Sequence, residues 1–144
     1  MTTDPIPPTL VGSRCVLRAL RSGDAPALQR NADDEAVWRN LFEGFPRPYT
    51  LADAQAWCDG AWRGRGEAVW GITSQALALA TDWTFKHSAE ITRVYAPIFT
   101  WNEGSQGVAR CCGYQLEGRM PQSAIKDGRV IDRVVYARYR RDTA

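Results

Sequence analysis

The segment from Ile91 to Gly118 constrains the fold more than any other part of the chain. It opens on a run of alternating residues, Ile91 to Thr100, which favours a β-strand. Asn102 follows, and its side-chain oxygen can accept a backbone N–H of a helical first turn. About two helical turns later, Gly113 suits the left-handed residue that ends a helix. Tyr114 then begins a new extended run, so the segment predicts a strand–helix–strand unit with a polar cap.

The composition of the 144-residue chain is typical of a globular protein with one core. Hydrophobic residues make up 44% and charged residues 24%, which is ordinary for such a domain. The net charge of +2 is too small to indicate nucleic acid or an anionic membrane as a partner. No apolar run approaches the roughly 20 residues of a membrane span, and the N-terminus does not resemble a secretory signal. We therefore expect a cytoplasmic protein.

The cysteines are Cys15, Cys58, Cys111 and Cys112. Their spacing matches neither a zinc site nor a disulfide framework, and adjacent Cys111 and Cys112 would bridge only with strain. We interpret all four as reduced thiols and expect no metal site; a catalytic cysteine is the less favoured alternative.

Short elements are predicted in the first half of the chain. Residues 1–9 carry three prolines and are expected to form a loose arm. Residues 10–20 alternate as a first strand. Helices are predicted from about Asp24 to Asn31, from Asp34 to Phe42, and over residues 51–63 after a capping box.

In the second half, residues 68–72 are predicted to form a strand that runs directly into a helix over residues 74–85. Apolar residues cover more than half of that helix, so we expect it to pack against a sheet. Pro97 cannot donate a ladder hydrogen bond, and it must lie at a bulge or on a free side of its strand. Two strands, 114–126 and 129–139, are joined by Asp127-Gly128, a hairpin turn signal.

Asn102 and Ser105 in the pattern N-x-x-S, a short helix, Gly113-Tyr114 and then Glu117-Gly118 resemble the C-terminal half of the GNAT superfamily of N-acetyltransferases. The branch most similar is that of the ribosomal-protein N-terminal acetyltransferases (RimJ/RimL-like). This resemblance implies an α/β (α+β) fold, with a mixed, mostly antiparallel acyltransferase-like sheet flanked by helices. It also implies a single domain over residues 1–144.

The resemblance implies transfer of an acetyl group from acetyl-CoA to a primary amine, by direct attack. The acceptor is a protein N-terminus or a small-molecule amine, and a homodimer is left open. By resemblance, Asn102 binds the pantetheine arm and Ser105 protonates the leaving thiolate. Tyr114 is the second choice for that proton, and Ser74 begins the helix that follows the family's pyrophosphate loop, so it is expected to bind the cofactor. From the residues alone, Ser105 is a first-turn helix serine and Tyr114 a core tyrosine.

One part of the family pattern is missing before that helix. The pyrophosphate loop of the family reads roughly Q/R-x-x-G-x-G/A, whereas AVWGIT at this place holds one glycine, Gly71. Central strands are missing too, on the order of 20–30 residues with the loop, so we expect a missing segment between about 68 and 75. Either the chain lacks it or the molecule holds residues that the sequence omits. The second is favoured, because unpaired strand edges are costly.

Two further functions stay open. The lost pyrophosphate loop favours a catalytically inactive acyltransferase-like module for binding or dimerisation. A small nucleic-acid module that uses Arg133, Arg138, Arg140 and Arg141 is the least favoured, because the net charge is weak. No general base is identified, since nothing places Glu90, Glu103 or Glu117 in a cleft.

Overall fold

The computed structural model describes residues 8–13, 16–61 and 74–140, with side chains from residue 76 onward in the last range. The described residues form two compact units. Unit 1 holds residues 8–11 and 16–61, and unit 2 holds residues 12–13 and 74–140. That residues 1–144 form a single domain stays a prediction. None of the described helices is long and apolar enough to cross a membrane.

Unit 1 combines a two-stranded ribbon with three short helices. The strands are antiparallel, with Leu10 opposite Leu17 and Val11 opposite Val16. A 3-10 turn at Ser22–Asp24 precedes the first helix. The elements are β1 (Leu10–Val11), β2 (Val16–Leu17), α1 (Ala25–Ala32), α2 (Glu35–Trp38) and α3 (Leu51–Cys58).

Local side-chain caps fix where two of these helices begin. The Asp34 carboxylate accepts the backbone N–H groups of Ala36 at 2.8 Å and Val37 at 3.1 Å, which starts α2. Thr50 and Asp53 form the predicted capping box at the start of α3. Small and aromatic side chains then pack α1 against α3 in one buried cluster, whose members are Ala25, Ala32, Tyr49, Ala54 and Cys58.

Three sequence predictions in unit 1 are wrong in detail. The single strand over residues 10–20 is a ribbon, because the chain reverses between β1 and β2. The helix predicted over 34–42 ends at Trp38, and the helix predicted over 51–63 ends at Cys58. Asp59-Gly60 follows Cys58, and such a dipeptide favours a turn over a further helical residue.

Unit 2 is a three-stranded antiparallel sheet with two helices. The strand order is β3-β5-β4, and the β4–β5 turn has positive φ at Asp127 (53°) and Gly128 (68°), as a type I′ hairpin requires. The elements are α4 (Ser74–His87), β3 (Arg93–Phe99), α5 (Glu103–Cys111), β4 (Gln115–Lys126) and β5 (Arg129–Tyr139). The helices, the strands and the hairpin predicted after residue 74 are confirmed.

Alternation along β3 decides which face of the sheet carries the core. Val94, Ala96 and Ile98 point to the side that α4 and α5 cover, as predicted. The buried members of this cluster are Ile98, Ala109, Cys112, Tyr114 and Tyr136, and Leu77 and Ala78 of α4 pack against them. The prediction that the helix beginning near residue 74 packs against a sheet is therefore confirmed.

Pro97 lies on a free edge of β3. Arg140 donates its backbone N–H to Thr92 O (2.8 Å) and Thr100 donates its backbone N–H to Asp132 O (3.4 Å), so even-numbered residues along this strand hydrogen-bond to β5. The backbone of Pro97 therefore points away from β5, towards an edge that no described strand pairs with. The prediction of a free side is confirmed. The predicted strand over 68–72 and most of the expected missing segment lie outside the described residues.

Candidate active site

Asn102 connects the end of β3 to the start of α5. Its backbone N–H donates to Phe99 O at 2.9 Å, which turns the chain out of the strand. Its side-chain Oδ1 accepts the backbone N–H of Ser105 at 3.1 Å, so the predicted N-cap is confirmed. Among the described residues, none accepts a hydrogen bond from Asn102 Nδ2, and the side chain is half-buried. The amide therefore keeps one N–H donor that no described residue accepts.

Ser105 lies in the first turn of α5 and is half-buried. Its hydroxyl makes no hydrogen bond to any residue that the structure describes. The first turn of a helix carries the positive end of the helix dipole, which favours a nearby negative charge. The structure thus brings Asn102 and Ser105 together and leaves one uncommitted polar group on each.

A buried polar network holds this turn in place. Gln106 donates from Nε2 to Thr100 O at 3.0 Å, and its Oε1 accepts the Tyr136 hydroxyl at 3.3 Å. Arg110 Nη1 in turn donates to the Tyr136 oxygen at 2.9 Å. Gln106 is 7% and Tyr136 4% exposed. The network ties α5 to the end of β3 and to β5, which fixes the position of the Asn102 turn.

Sequence reasoning missed this network. Its signal is a polar residue on an apolar stripe, because Gln106 shares a helix face with Ala109 and both are buried. A buried amide needs hydrogen-bond partners. Its partner on β5, however, is 30 residues away in the sequence, and no local pattern identifies it.

Tyr114 lies beyond the other end of α5. It is 3% exposed, and its hydroxyl is 2.7 Å from Thr81 Oγ1. Thr81 donates its one proton to Leu77 O at 2.8 Å, so Tyr114 donates to Thr81. Burial raises the pKa of Tyr114. The nine residues of α5 separate Tyr114 from Asn102 by roughly 13 Å of helix rise, and the structure does not bring Tyr114 and Ser105 together.

Ser74 is the first residue of α4, and its side chain lies outside the description. The stretch before it, including Gly71, lies outside the described residues as well. A cofactor-binding role for Ser74 stays a prediction.

Glu117 is fully engaged within the sheet of unit 2. Arg93 donates to its carboxylate through Nε at 2.9 Å and through Nη2, and the Tyr139 hydroxyl donates to Oε1. These hydrogen bonds lower the pKa of Glu117 to about 2, and the one from Arg93 has the largest effect. Glu117 is therefore a charged structural group at neutral pH and a poor general base.

The basic residues near the C-terminus also have partners inside unit 2. Arg138 pairs with Asp82 at 2.6 Å, and Arg133 Nη2 donates to Ser123 O at 2.6 Å. Arg140 donates to the carbonyl of Ile91 and to those of Phe85 and Ser88 at the end of α4. These contacts occupy the guanidinium groups that a nucleic-acid module would present to its ligand. Arg141 lies outside the described residues.

Comparison with known proteins gives one family match and many structural matches. Residues 14–75 match the family model of the acetyltransferase (GNAT) domain. A GNAT-family acetyltransferase from Bacillus anthracis has a TM-score of 0.75 at 17% identity, over 92% of this chain and 98% of that one. The ribosomal-protein-S5-alanine acetyltransferase from Vibrio fischeri has a TM-score of 0.70 at 14% identity, over 94% and 98%. RimL, a ribosomal L7/L12 alpha-N-protein acetyltransferase solved with coenzyme A, has a TM-score of 0.66 at 20% identity, over 95% and 97%. No curated protein matches the sequence.

The family match ends at residue 75, whereas Asn102 and Ser105 lie beyond it, so the two signals come from different parts of the sequence. Both signals are similar to the same class of protein, the GNAT acetyltransferases. The described residues form antiparallel strands flanked by helices, the fold is similar to that of GNAT acetyltransferases, and ribosomal-protein N-acetyltransferases are among the structural neighbours.

Proposed function

We propose that this chain is a cytoplasmic enzyme that transfers the acetyl group of acetyl-CoA to a primary amine of a protein N-terminus or a small molecule. The observation that carries the proposal is the turn at the start of α5. There Asn102 uses one side-chain atom to cap the helix and keeps the other free of the described residues, beside the uncommitted hydroxyl of Ser105.

We assign to Asn102 the binding of the pantetheine arm of the cosubstrate, which contains amide groups. Its Oδ1 accepts the Ser105 N–H, which restricts the side-chain rotation and leaves Nδ2 as the remaining donor. A fixed N–H donor suits a carbonyl of the pantetheine arm. Support for the cosubstrate comes from structural neighbours, because RimL was solved with coenzyme A and the self-immunity acetyltransferase MccE with acetyl-CoA and AMP.

We assign to Ser105 the protonation of the leaving group, the thiolate of the cosubstrate. In the reaction the amine nitrogen bonds to the acetyl carbon, the carbon–sulfur bond breaks, and the departing thiolate takes up a proton. A serine hydroxyl holds its proton tightly, so Ser105 delivers it only within a direct hydrogen bond to the sulfur. The acylated nitrogen releases its extra proton to solvent, and solvent returns a proton to Ser105. The positive end of the α5 dipole also stabilises charge that develops on the sulfur.

The amine must first lose a proton, because an alkyl amine is mostly protonated at neutral pH. Glu117 is held ionised by Arg93 and Tyr139, so the proposal does not use it. We propose that solvent accepts this proton. Tyr114 remains the second candidate for protonation of the thiolate, although its hydroxyl donates to Thr81.

A catalytically inactive binding module is the second candidate function. The observation that favours it is the stretch before α4, which has one glycine, Gly71, where the resemblance calls for a glycine-rich loop. Such a loop commonly supplies backbone N–H groups to a pyrophosphate. Binding of acetyl-CoA without turnover on any amine would favour this function.

Titration calorimetry with acetyl-CoA tests the proposal, with Asn102→Asp as the matched variant. Aspartate keeps the oxygen that caps α5 but has no N–H donor. We expect saturable binding to the natural chain and binding at least about tenfold weaker to the variant, for loss of one hydrogen bond. Peptides with free N-termini are then incubated with acetyl-CoA, and a mass increase of one acetyl group is measured. Absence of both heat and thermal stabilisation with acetyl-CoA would overturn the proposal.

A further inference from the structure

Unit 2 contains a pocket of about 440 Å³ where β5 ends, beside the C-terminal end of α5. It lies at the opposite end of α5 from the candidate active site, because Asn102 caps the start of the helix, whereas Cys112, which lines the pocket, caps its end. Arg138 and Arg140 also line this pocket, and no carboxylate is among its lining residues in the described part of the chain. A pocket lined by two cations favours a negatively charged ligand.

Arg138 supplies side-chain donors to this pocket. Its Nη2 donates to Asp82 Oδ1 at 2.6 Å, and no described residue accepts a hydrogen bond from its Nε or Nη1. These two nitrogens are uncommitted although the side chain is only 26% exposed. A Cβ built on Gly113 would lie 3.9 Å from Nε, and Gly113 lines the pocket, so this part of the guanidinium lies close to the pocket wall.

Arg140 adds a charge that no carboxylate among the described residues neutralises. Its three side-chain nitrogens donate to the carbonyl oxygens of Phe85, Ser88 and Ile91, near the end of α4, where a helix favours a cation. Carbonyl groups hold the guanidinium in place but leave it its full positive charge. Because Arg138 and Arg140 are two residues apart in one strand, their side chains share a face of the sheet and start roughly 7 Å apart.

The backbone of Tyr139 provides a further donor between the two arginines. β4 begins at Gln115, opposite Ala137, so β5 extends beyond the end of its partner. The backbone N–H of Arg140 donates towards β3, to Thr92 O, and alternation turns the Tyr139 N–H towards the β4 side. No residue that the structure describes accepts this N–H, and Tyr139 lines the pocket. An unpaired N–H at the edge of a sheet is a suitable donor for an anion.

The negative groups around these donors already have partners. Asp82 pairs with Arg138, and Glu117 accepts the Tyr139 hydroxyl. The last carbonyls of α5 accept the backbone N–H groups of residues 112–114. The second arginine therefore leaves the pocket with a net positive charge.

We propose that this pocket binds a phosphate group, either free or at one end of a small molecule. The phosphate oxygens accept from Arg138 Nε and Nη1 and from the Tyr139 N–H, and the charge of Arg140 balances that of the phosphate. Hydrogen bonds between a guanidinium and a phosphate are among the strong ones in proteins, because both partners are charged. A cation would be repelled by both arginines. The site goes beyond acetyl transfer and does not use Asn102 or Ser105.

Titration of the full chain with inorganic phosphate tests the proposal. Binding is followed at pH 7 by calorimetry and by NMR of the backbone amides, with sodium chloride at matched ionic strength as the control for screening. We expect saturable binding and a shift of the Tyr139 amide signal with phosphate, and neither with chloride. Glycerol 3-phosphate is the second ligand. Tighter binding than that of phosphate would indicate a phosphorylated small molecule as the ligand, and weaker binding would indicate free phosphate.

Two variants break the same ion pair and predict opposite results. Arg138→Gln removes the donors and the charge, and should weaken phosphate binding about tenfold or more. Asp82→Asn leaves Arg138 charged without its carboxylate partner, and should strengthen phosphate binding about threefold or more. Damage to the fold from loss of the ion pair would instead weaken binding in both variants, and that outcome would overturn the proposal.

Arg129→Gln is the matched control for net charge. Arg129 is exposed at the start of β5 and does not line the pocket, so this variant should bind phosphate as the natural chain does. Unchanged binding to Arg138→Gln, or equal weakening by Arg129→Gln, would show that phosphate responds only to the overall charge and would overturn the proposal.

Failure here is distinguishable from failure of the proposed acetyl transfer. Asn102→Asp should leave phosphate binding unchanged, because Asn102 lies at the other end of α5. Acetyl-CoA binding in turn should survive Arg138→Gln. Displacement of acetyl-CoA by phosphate at constant ionic strength would overturn the assignment of a separate pocket, whereas phosphate binding to a chain that does not bind acetyl-CoA would support the pocket and overturn only the enzyme.

Discussion

Asn102 Oδ1 accepts the backbone N–H of Ser105 at 3.1 Å, so one side chain starts α5 and keeps an amide donor that no described residue accepts. This dual role predicts that stability and ligand binding separate on mutation. Asn102→Ala should lower the free energy of unfolding by about 1 kcal/mol through loss of the cap. Asn102→Asp should stay within a few tenths of the natural chain, since either residue caps well. Urea denaturation measures both, and equal destabilisation by the two variants would contradict the capping role.

Ser105 and Tyr114 offer different protons to a leaving thiolate, and their positions predict different kinetics. Ser105→Ala should lower kcat by about 10²-fold or more, the range for loss of a general acid, with the KM for acetyl-CoA little changed. Tyr114→Phe removes a hydroxyl that donates to Thr81. It should lower stability by about 1 kcal/mol and leave kcat near its natural value. Steady-state kinetics of both variants decides between the residues: a large fall in kcat confined to Tyr114→Phe would reverse their roles.

Local signals in the sequence sufficed for much of unit 2. The cap at Asn102, the stop at Gly113 and the turn at Asp127-Gly128 each depend on a few neighbouring residues, and all three lie where they were predicted. The place of Pro97 was predicted in part, because a residue without an N–H was expected at a bulge or on a free side, and it lies on the free side of β3.

Long-range pairing was not predictable in the same way. Tyr136 meets Gln106 across 30 residues, and Arg93 meets Glu117 across 24. These contacts depend on strand register and helix placement, which a single sequence does not specify. In unit 1 the alternation over residues 10–20 did not indicate the chain reversal, because one long strand and a short antiparallel ribbon have the same period of two residues.

The Glu117 carboxylate predicts an acid-sensitive step in stability. Its pKa is lowered from 4.5 in the unfolded chain to about 2 in the folded chain by Arg93 and Tyr139. Because the folded state holds the charged form, the stabilisation is present above about pH 4.5 and is lost as the pH falls towards 2. Glu117→Gln should flatten this part of the stability–pH curve. Denaturation between pH 2 and 7 measures it, and an identical curve for the variant would contradict the assignment.

The Gln106–Tyr136 hydrogen bond predicts coupled effects on stability. Gln106→Leu leaves the Tyr136 hydroxyl and Thr100 O without this partner, and should cost about 1–3 kcal/mol. Tyr136→Phe removes the hydroxyl and should cost about 1 kcal/mol. Because the residues share one network, the double variant should be less destabilised than the sum of the single variants. Strict additivity in a double-mutant cycle would show that the two side chains do not interact in solution.

A glycine in the middle of α5 and a glycine just beyond its C-terminal end predict opposite responses to alanine. Gly107 lies inside the helix, and a Cβ there would meet only Arg110 Nη2 at 3.9 Å, which is ordinary contact. Gly107→Ala should therefore raise the free energy of unfolding by about 0.5–1 kcal/mol. Gly113 has φ +80°, a left-handed conformation that a Cβ disfavours, so Gly113→Ala should lower it by about 1 kcal/mol or more. Thermal unfolding of the two variants measures the pair, and stabilisation by Gly113→Ala would be inconsistent with a left-handed end to α5.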